Sequence, residues 1–218
     1  ATSRRPLPVD FLGPNIRVIQ GDLADPELIK DPFDALIHCA AEIPAKCPDL
    51  NQLYETNVNA CSALFGTALT HSARAVIFLS SMSHYGHIDV EEVTEDLPPQ
   101  APDLYGRSKT RGEELLSESV EKGLPSGLSL RLPGTVGQGS HNNFLSTSRD
   151  RILNGEKLSG RHPDALFNNI VHINDLCSFI EKFIRTPHAG YHVANLAARD
   201  PATCLLYTSD AADDTPCV

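Results

Sequence analysis

A phenol and an ammonium lie four residues apart in Tyr105-Gly106-Arg107-Ser108-Lys109. A helix puts positions with that separation on one face, one above the other. A tyrosine hydroxyl ionises near pH ~10 when unperturbed, and a neighbouring cation favours the phenolate. Such a pair can exchange a proton with a substrate oxygen near neutrality. The spacing also occurs on solvated helix faces, so it needs support from elsewhere in the chain. Upstream, the apolar run Val76-Ile77-Phe78-Leu79 ends in Ser80-Ser81-Met82-Ser83-His84-Tyr85-Gly86. A buried strand would thus deliver consecutive hydroxyls at its carboxyl end, the edge where open parallel sheets bind ligands. A Ser-rich turn would look the same in isolation, but together the two motifs make Ser81, Tyr105 and Lys109 the candidate proton-transfer centre.

The elements that must position these groups follow from the apolar pattern. Runs bounded by turn residues alternate with segments of helical period, as in parallel strands joined by crossover helices. Strands are predicted at residues 16–20, 35–38, 75–79 and 128–132, and helices at 26–30, 50–71 and 105–122. Beyond Gly139 the pattern changes to a helix at 144–154, a short extended piece at 170–173 and a helix at 174–185, with Asp175 near its start. This stretch reads as a smaller substrate-side subdomain. Three further strand ends carry small or polar residues: Gly21-Asp22-Leu23, His38-Cys39-Ala40-Ala41 and Pro133-Gly134. Small residues there let a flat ring or a phosphate approach the backbone closely. An Asp at such an end can accept a hydrogen bond from an adenine amine or a ribose hydroxyl.

These segments have a common likeness. Asp34-Ala35-Leu36-Ile37-His38-Cys39-Ala40-Ala41, Glu55-Thr56-Asn57-Val58-Asn59-Ala60, the Ser80 to Gly86 run, Tyr105 to Lys109, Arg131-Leu132-Pro133 and Val171-His172-Ile173-Asn174-Asp175-Leu176 resemble the NAD-dependent epimerase/dehydratase family, the extended short-chain dehydrogenases. The likeness covers residues 16–198, and six motifs in one order and spacing make it specific. It implies an α/β fold with a Rossmann-type doubly wound parallel sheet and a small C-terminal substrate subdomain. It implies Tyr105 as general acid/base, with Lys109 holding the nicotinamide ribose and lowering the Tyr105 pKa. Ser81 would hydrogen-bond the substrate oxygen, with Met82, Ser83 and Asn143 beside the substrate. Asp22 and Leu23 would meet the adenine, and Cys39, Ala40 and Ala41 the centre of the dinucleotide. Thr56 would lie beside it and Pro133 at the nicotinamide end. The implied cofactor is NAD or NADP, and the implied reaction is epimerisation, dehydration or reduction of a nucleotide sugar or related hydroxyl or carbonyl substrate, by hydride and proton transfer. A dinucleotide-binding regulatory protein without turnover is the alternative, and the intact Ser81, Tyr105 and Lys109 argue against it.

The chain departs from the family at its ends. The Gly-rich loop that cradles the pyrophosphate is not among the 218 residues, so the sheet is expected to be truncated at its N-terminus. A chain of these residues alone is then expected to bind dinucleotide weakly and to be inactive. The run Cys204-Leu205-Leu206-Tyr207-Thr208-Ser209-Asp210 and onward shares neither the period nor the composition of what precedes it. It resembles the translated read-through of a sequencing adaptor, an acidic tail being the other reading. The expected organisation is therefore a partial dinucleotide-binding domain at 1–139, a partial substrate subdomain at 140–203 and a non-native tail at 204–218. Arg4 and Arg5 fall where a basic residue favours a 2′-phosphate, hence NADP, although surface arginines without a role fit equally well. Ala60 stands where the family usually has Gly.

Composition bounds the partners. A net charge of −10, with no basic cluster interleaved with aromatics, argues against nucleic acid. No apolar run approaches the ~20 residues that cross a bilayer, which argues against a membrane. Six cysteines without a C-x-x-C pair suggest a reducing, cytoplasmic setting. Nine histidines include one pair at H-x-x-x-H spacing, His188 and His192, but no H-E-x-x-H motif, and no metal is expected. His84 lies close to the Ser81 hydroxyls, where a satisfied loop histidine is the simpler reading. The family likeness adds a homodimer of the full-length protein, formed through the two long helices.

Overall fold

The computed structural model describes residues 2–3, 14–140, 143–157, 166–167, 170–199 and 202–203. In chain order the elements are β1 (Thr2–Ser3), β2 (Ile19–Gln20), β3 (Ala35–His38), α1 (Leu50–Thr70), β4 (Ala75–Ser81), α2 (Leu104–Glu121), β5 (Ser126–Leu132), β6 (Gly134–Val136), α3 (Phe144–Leu153), β7 (Leu166–Phe167), β8 (Ile170–His172), α4 (Ile173–Arg185), β9 (Gly190–Asn195) and β10 (Ala202–Thr203). A single 3-10 turn, Met82–Tyr85, follows β4. The predicted tail at 204–218 and the Arg4-Arg5 pair lie outside the described residues.

Two compact units emerge. The first comprises Ala1–Arg131 and Phe183–Asn195, the second Leu132–Lys182 and Leu196–Val218. The chain therefore leaves the first unit at the end of β5, before residue 139, and returns to it to lay down β9.

The first unit is built on a four-stranded sheet of order β3-β4-β5-β9, with β3 parallel to β4 and β9 parallel to β5. This is the Rossmann-type α/β arrangement expected from the alternating pattern. Strand β4 is buried from Ala75 to Phe78, as a central parallel strand covered on both faces must be. Helix α1 starts at Asp49, whose side chain accepts from the amides of Asn51 and Gln52 at 3.0 and 3.1 Å, an N-cap. Its buried face, Leu53, Asn57, Ala60, Cys61, Leu64, Phe65 and Ala68, follows the three- and four-residue spacing of a helix stripe. The core cluster joins Cys61, Leu64, Phe65 and Ala68 to Val76 and Phe78 of β4 and Leu116 of α2. Helix α2 is capped by Asp103, which accepts from Gly106 N at 2.7 Å. Its buried face is different in kind, because Ser108, Lys109, Glu113 and Ser119 lie on it beside Gly112 and Leu116.

Two expectations are corrected. Residues 26–30 form turns, not a helix. Asp22 and Asp25 each bond the backbone two residues on, at Ala24 N (3.0 Å) and Glu27 N (2.9 Å), and such local bonds compete with helix formation in so short a segment. Strand β9 was not anticipated. It pairs with β5 over six residues, a tertiary contact that short G-Y-H-V-A-N does not announce.

In the second unit β6 runs parallel to β8, and β7 pairs antiparallel with β10. Helix α3 opens with a capping box between Asn143 and Ser146.

His38 ends β3 in the core. Only 3% of it is exposed, its ring stacking on Phe78 at 5.5 Å and meeting Phe65 edge-on at 6.0 Å. Burial first, and the Lys109 charge second, lower its pKa to about 3. A folded-state pKa below the unfolded one means that stability present above pH ~6.5 is lost as pH falls toward the folded value. Urea unfolding at pH 7.5 and pH 5 is expected to show His38→Phe relieving about 2 kcal/mol of that acid loss. A second expectation concerns Gly112, where an added Cβ would lie 2.6 Å from the Phe78 ring and 3.1 Å from Cys61 Sγ. Gly112→Val is expected to lower the stability by about 2 kcal/mol through overpacking, read as an earlier urea midpoint with unchanged slope.

Candidate active site

Ser81 is the last residue of β4 and caps the 3-10 turn that follows. Its Oγ accepts from Ser83 N at 3.1 Å and donates to Ser83 Oγ at 3.2 Å. Tyr105 sits in the first turn of α2, and its phenol lies near enough to the Ser81 hydroxyl for that group to favour the phenolate. The turn and the helix meet closely because residue 106 is glycine: a Cβ there would fall 2.1 Å from Ser83 O. The strand-end hydroxyl is thereby brought to the phenol.

One helical turn on, Lys109 is 4% exposed. Its Nζ donates to Leu79 O at 2.8 Å and lies 4.8 Å from the Phe78 ring centre and 5.8 Å from that of Tyr105, the second within reach of a cation–π attraction. Burial lowers its pKa to about 8, against the opposing pull of Cys61, Cys39 and Glu113. The structure therefore brings Ser81, Tyr105 and Lys109 together.

One electrostatic expectation is corrected. The Tyr105 phenol is held above its ordinary range, not below it, because burial disfavours the phenolate. The Ser81 hydroxyl works the other way, and Asp103 adds to the upward push. Burial sets the direction.

The remaining residues fall into place as follows. Cys39, Ala40 and Ala41 follow β3 and are exposed, and the Cys39 thiol lies close enough to Lys109 to raise the pKa of the amine. Thr56 is half-buried on α1, and Met82 and Ser83 are half-buried in the 3-10 turn. Asp22 is exposed, whereas Leu23 is 9% exposed and packs in the core cluster. Pro133 and Asn143 belong to the second unit. There Asn143 caps α3, accepting from Ser146 N at 2.9 Å while its amide donates to Thr135 O and Ser140 Oγ at 2.8 and 2.7 Å. Its side chain thus has a structural task in this structure. His84 is buried, its Nδ1 2.9 Å from Thr110 Oγ1.

Sequence reasoning missed three residues that hold this centre. Asn57 exchanges hydrogen bonds with the backbone of Glu42 (2.8 and 3.1 Å) and donates to Ser108 Oγ at 3.1 Å. Ser108 in turn donates to Tyr105 O at 2.7 Å, tying the loop after β3 to the start of α2. Glu113 and Arg131 form a buried ion pair at 2.8 Å. The available signal was a polar or charged residue at an apolar position: Asn57 within the Leu53 to Cys61 stripe, Glu113 four after Lys109, and Arg131 inside the apolar β5 run.

Among the described residues no helix is long and apolar enough to cross a membrane. The residues present fit a dinucleotide: a buried ammonium beside a strand-end hydroxyl and a phenol, with three small exposed residues at the neighbouring strand end.

The chain is 34% identical over 153 residues to D-erythronate dehydrogenase of Cupriavidus necator, which covers 66% of the chain and 47% of the relative. It is 30% identical over 98 residues to UDP-glucose 4-epimerase of Corynebacterium glutamicum, covering 43% of the chain and 30% of the relative. The chain thus spans about half or less of these two curated relatives. In fold it is similar to MoeE5 in complex with UDP-glucose and NAD, with a TM-score of 0.80 at 24% identity over 97% of this chain and 72% of that one. It is also similar to the Thermus thermophilus UDP-glucose 4-epimerase complex with NAD, with a TM-score of 0.76 at 17% identity over 93% and 70%. The profile of the NAD dependent epimerase/dehydratase family matches residues 2–197, and with six motifs in order on a Rossmann-type sheet the chain belongs to that family.

Proposed function

We propose that the protein carrying this chain is an NAD- or NADP-dependent enzyme that oxidises or reduces a carbon bearing a hydroxyl or carbonyl group on a nucleotide sugar or a related polyhydroxy compound. The observation that supports this most is the burial of the Lys109 ammonium one helical turn from Tyr105, beside the end of the strand that carries Ser81. A solvated helix face would have left the amine in water.

Lys109 would hold the ribose of the dinucleotide, since among the described residues one of its three N–H donors is engaged, on Leu79 O. Cys39, Ala40 and Ala41 would let the middle of the dinucleotide approach the end of β3, with Asp22, Leu23 and Thr56 lining its path. When bound, the dinucleotide supplies or accepts a hydride. Ser81, with Met82 and Ser83 beside it, would bind substrate, Ser81 through the reacting oxygen. Tyr105 moves the proton on that oxygen. A phenol held above its ordinary pKa is protonated at neutral pH, so it is ready to donate to an oxygen gaining negative charge during reduction. Oxidation of an alcohol needs the phenolate and is favoured as pH rises.

The two curated relatives divide the substrate question between a polyhydroxy acid and a UDP-sugar. A panel assay on the protein that carries this chain, with NAD or NADP and either D-erythronate or UDP-glucose, tests the reading. Tyr105→Phe is expected to lower kcat by about 10²- to 10⁴-fold with little change in substrate KM. Alcohol oxidation in the parent protein is expected to quicken as pH rises above neutrality. Full activity in Tyr105→Phe would remove Tyr105 from the reaction.

A further inference from the structure

The ion pair of the first unit does more than bridge two elements. Arg131, in β5, reaches Glu113 of α2 through Nε (3.1 and 3.2 Å to the two carboxylate oxygens) and Nη2 (2.8 Å). Glu113 also accepts from Ser80 Oγ at 2.5 Å, and Ser80 is the residue immediately before Ser81 in β4. The other arm of the guanidinium, Nη1, donates to the Tyr85 hydroxyl and to Glu95 O, both at 2.8 Å. Tyr85 closes the 3-10 turn that Ser81 opens. Its ring is fully buried, and its hydroxyl has two acceptors for its proton, Asn195 Oδ1 at 2.8 Å and Thr94 O at 3.0 Å. Asn195 completes the set, donating its amide to Val93 O at 3.1 Å and its backbone N–H to Glu95 Oε1 at 2.7 Å.

The network therefore grips the Ser81 segment on both sides. Ser80 precedes it and Tyr85 ends the turn that follows it, and both are tied to the same Glu113–Arg131 pair. Glu113 stands on α2 one turn beyond Lys109 and two beyond Tyr105, so the strand end and the catalytic helix share one anchor. A buried pair is a weak source of net stability compared with apolar packing, whereas the removal of one partner is costly. Positioning is the property such a pair supplies better than a leucine would.

We propose that Glu113, Arg131 and Tyr85 act as one positioning unit that sets the Ser81 hydroxyl against the Tyr105 phenol. The proposal rests on the proton-transfer role given to those two groups above. Ser80 and Asn195 extend the unit to the neighbouring strands. Its members touch neither hydroxyl of the reacting pair directly and act through the backbone between Ser80 and Tyr85.

The test is NMR of the full 218-residue chain at neutral pH, reading the cross-peak between the Ser81 Hβ and Tyr105 ring protons. Tyr105→Phe and Ser81→Ala assign the signals. Glu113→Gln breaks the ion pair. Tyr85→Phe removes one hydroxyl, leaves the pair in place and carries the test if Glu113→Gln fails to fold. Leu116→Ala, a core change on the same helix, controls for simple loss of stability. The expected result is a Ser81–Tyr105 cross-peak that falls by at least half in Tyr85→Phe and in folded Glu113→Gln, and that stays in Leu116→Ala although its melting temperature drops. A cross-peak that survives in both network variants overturns the positioning role and leaves the proton-transfer reading intact. Equal loss in Leu116→Ala also overturns it, since any loosening would then do the same. Absence of the cross-peak in the parent chain removes the serine–phenol pairing itself, and the positioning role with it.

Discussion

An ammonium taken out of water organises this structure. Lys109 is buried against β4, and its charge meets a backbone carbonyl, the faces of Phe78 and Tyr105, and a carboxylate one turn along the helix. The drop of its pKa from 10.5 to about 8 corresponds to a preference of about 3 kcal/mol for the neutral amine relative to water. A fold under selection for stability alone has no reason to keep a lysine there, because an apolar side chain of similar length would fill the space without the desolvation cost. The amine is instead held at the end of β4, on Leu79 O, and near the Cys39 thiol that follows β3, beside the only tyrosine of helix α2. Its neighbours respond to it: His38 is kept neutral partly by that charge.

The rest of helix α2 can be understood as support for that burial. A helix packed on a sheet ordinarily presents an apolar stripe, and α2 presents Ser108, Lys109, Glu113 and Ser119 instead. Each has a named partner. Ser108 takes Asn57 and returns its proton to Tyr105 O, Lys109 takes Leu79 O, Glu113 takes Arg131 and Ser80, and Ser119 donates to Leu115 O at 2.8 Å. Buried polar groups with such partners rigidify a site, and one left without a partner would be expensive. Glycine at 106 and 112 lets the 3-10 turn and the Phe78 ring approach the helix closely enough for these bonds to form.

The sequence made the framework and the reacting groups legible because both are local signals. The run Ala75 to Leu79 could only be a buried strand, the Tyr105 to Lys109 spacing could only matter on a helix, and the order of six motifs fixed the family. What escaped was long-range. Strand β9 depends on pairing with β5 some sixty residues earlier, and nothing in its six residues distinguishes it from a loop. Asn57, Glu113 and Arg131 are visible in the sequence as polar residues at apolar positions, yet their meaning lies in contacts 15 to 51 residues away. The raised pKa of Tyr105 escaped for the same reason: sequence spacing reports a neighbouring side chain but not the burial of the phenol. The turns at residues 26–30 reflect Asp side chains competing for the backbone, a balance too fine for periodicity to reveal.

The account turns on whether the Lys109 amine is truly withdrawn from water at the foot of Tyr105. Isotope-edited NMR of the lysine side chains, with Lys109 assigned by Lys109→Met, measures its titration directly. The structure predicts a midpoint close to 8, well apart from the other lysines. A midpoint at the ordinary value of 10.5 would place the ammonium in solvent and contradict the arrangement of the whole centre.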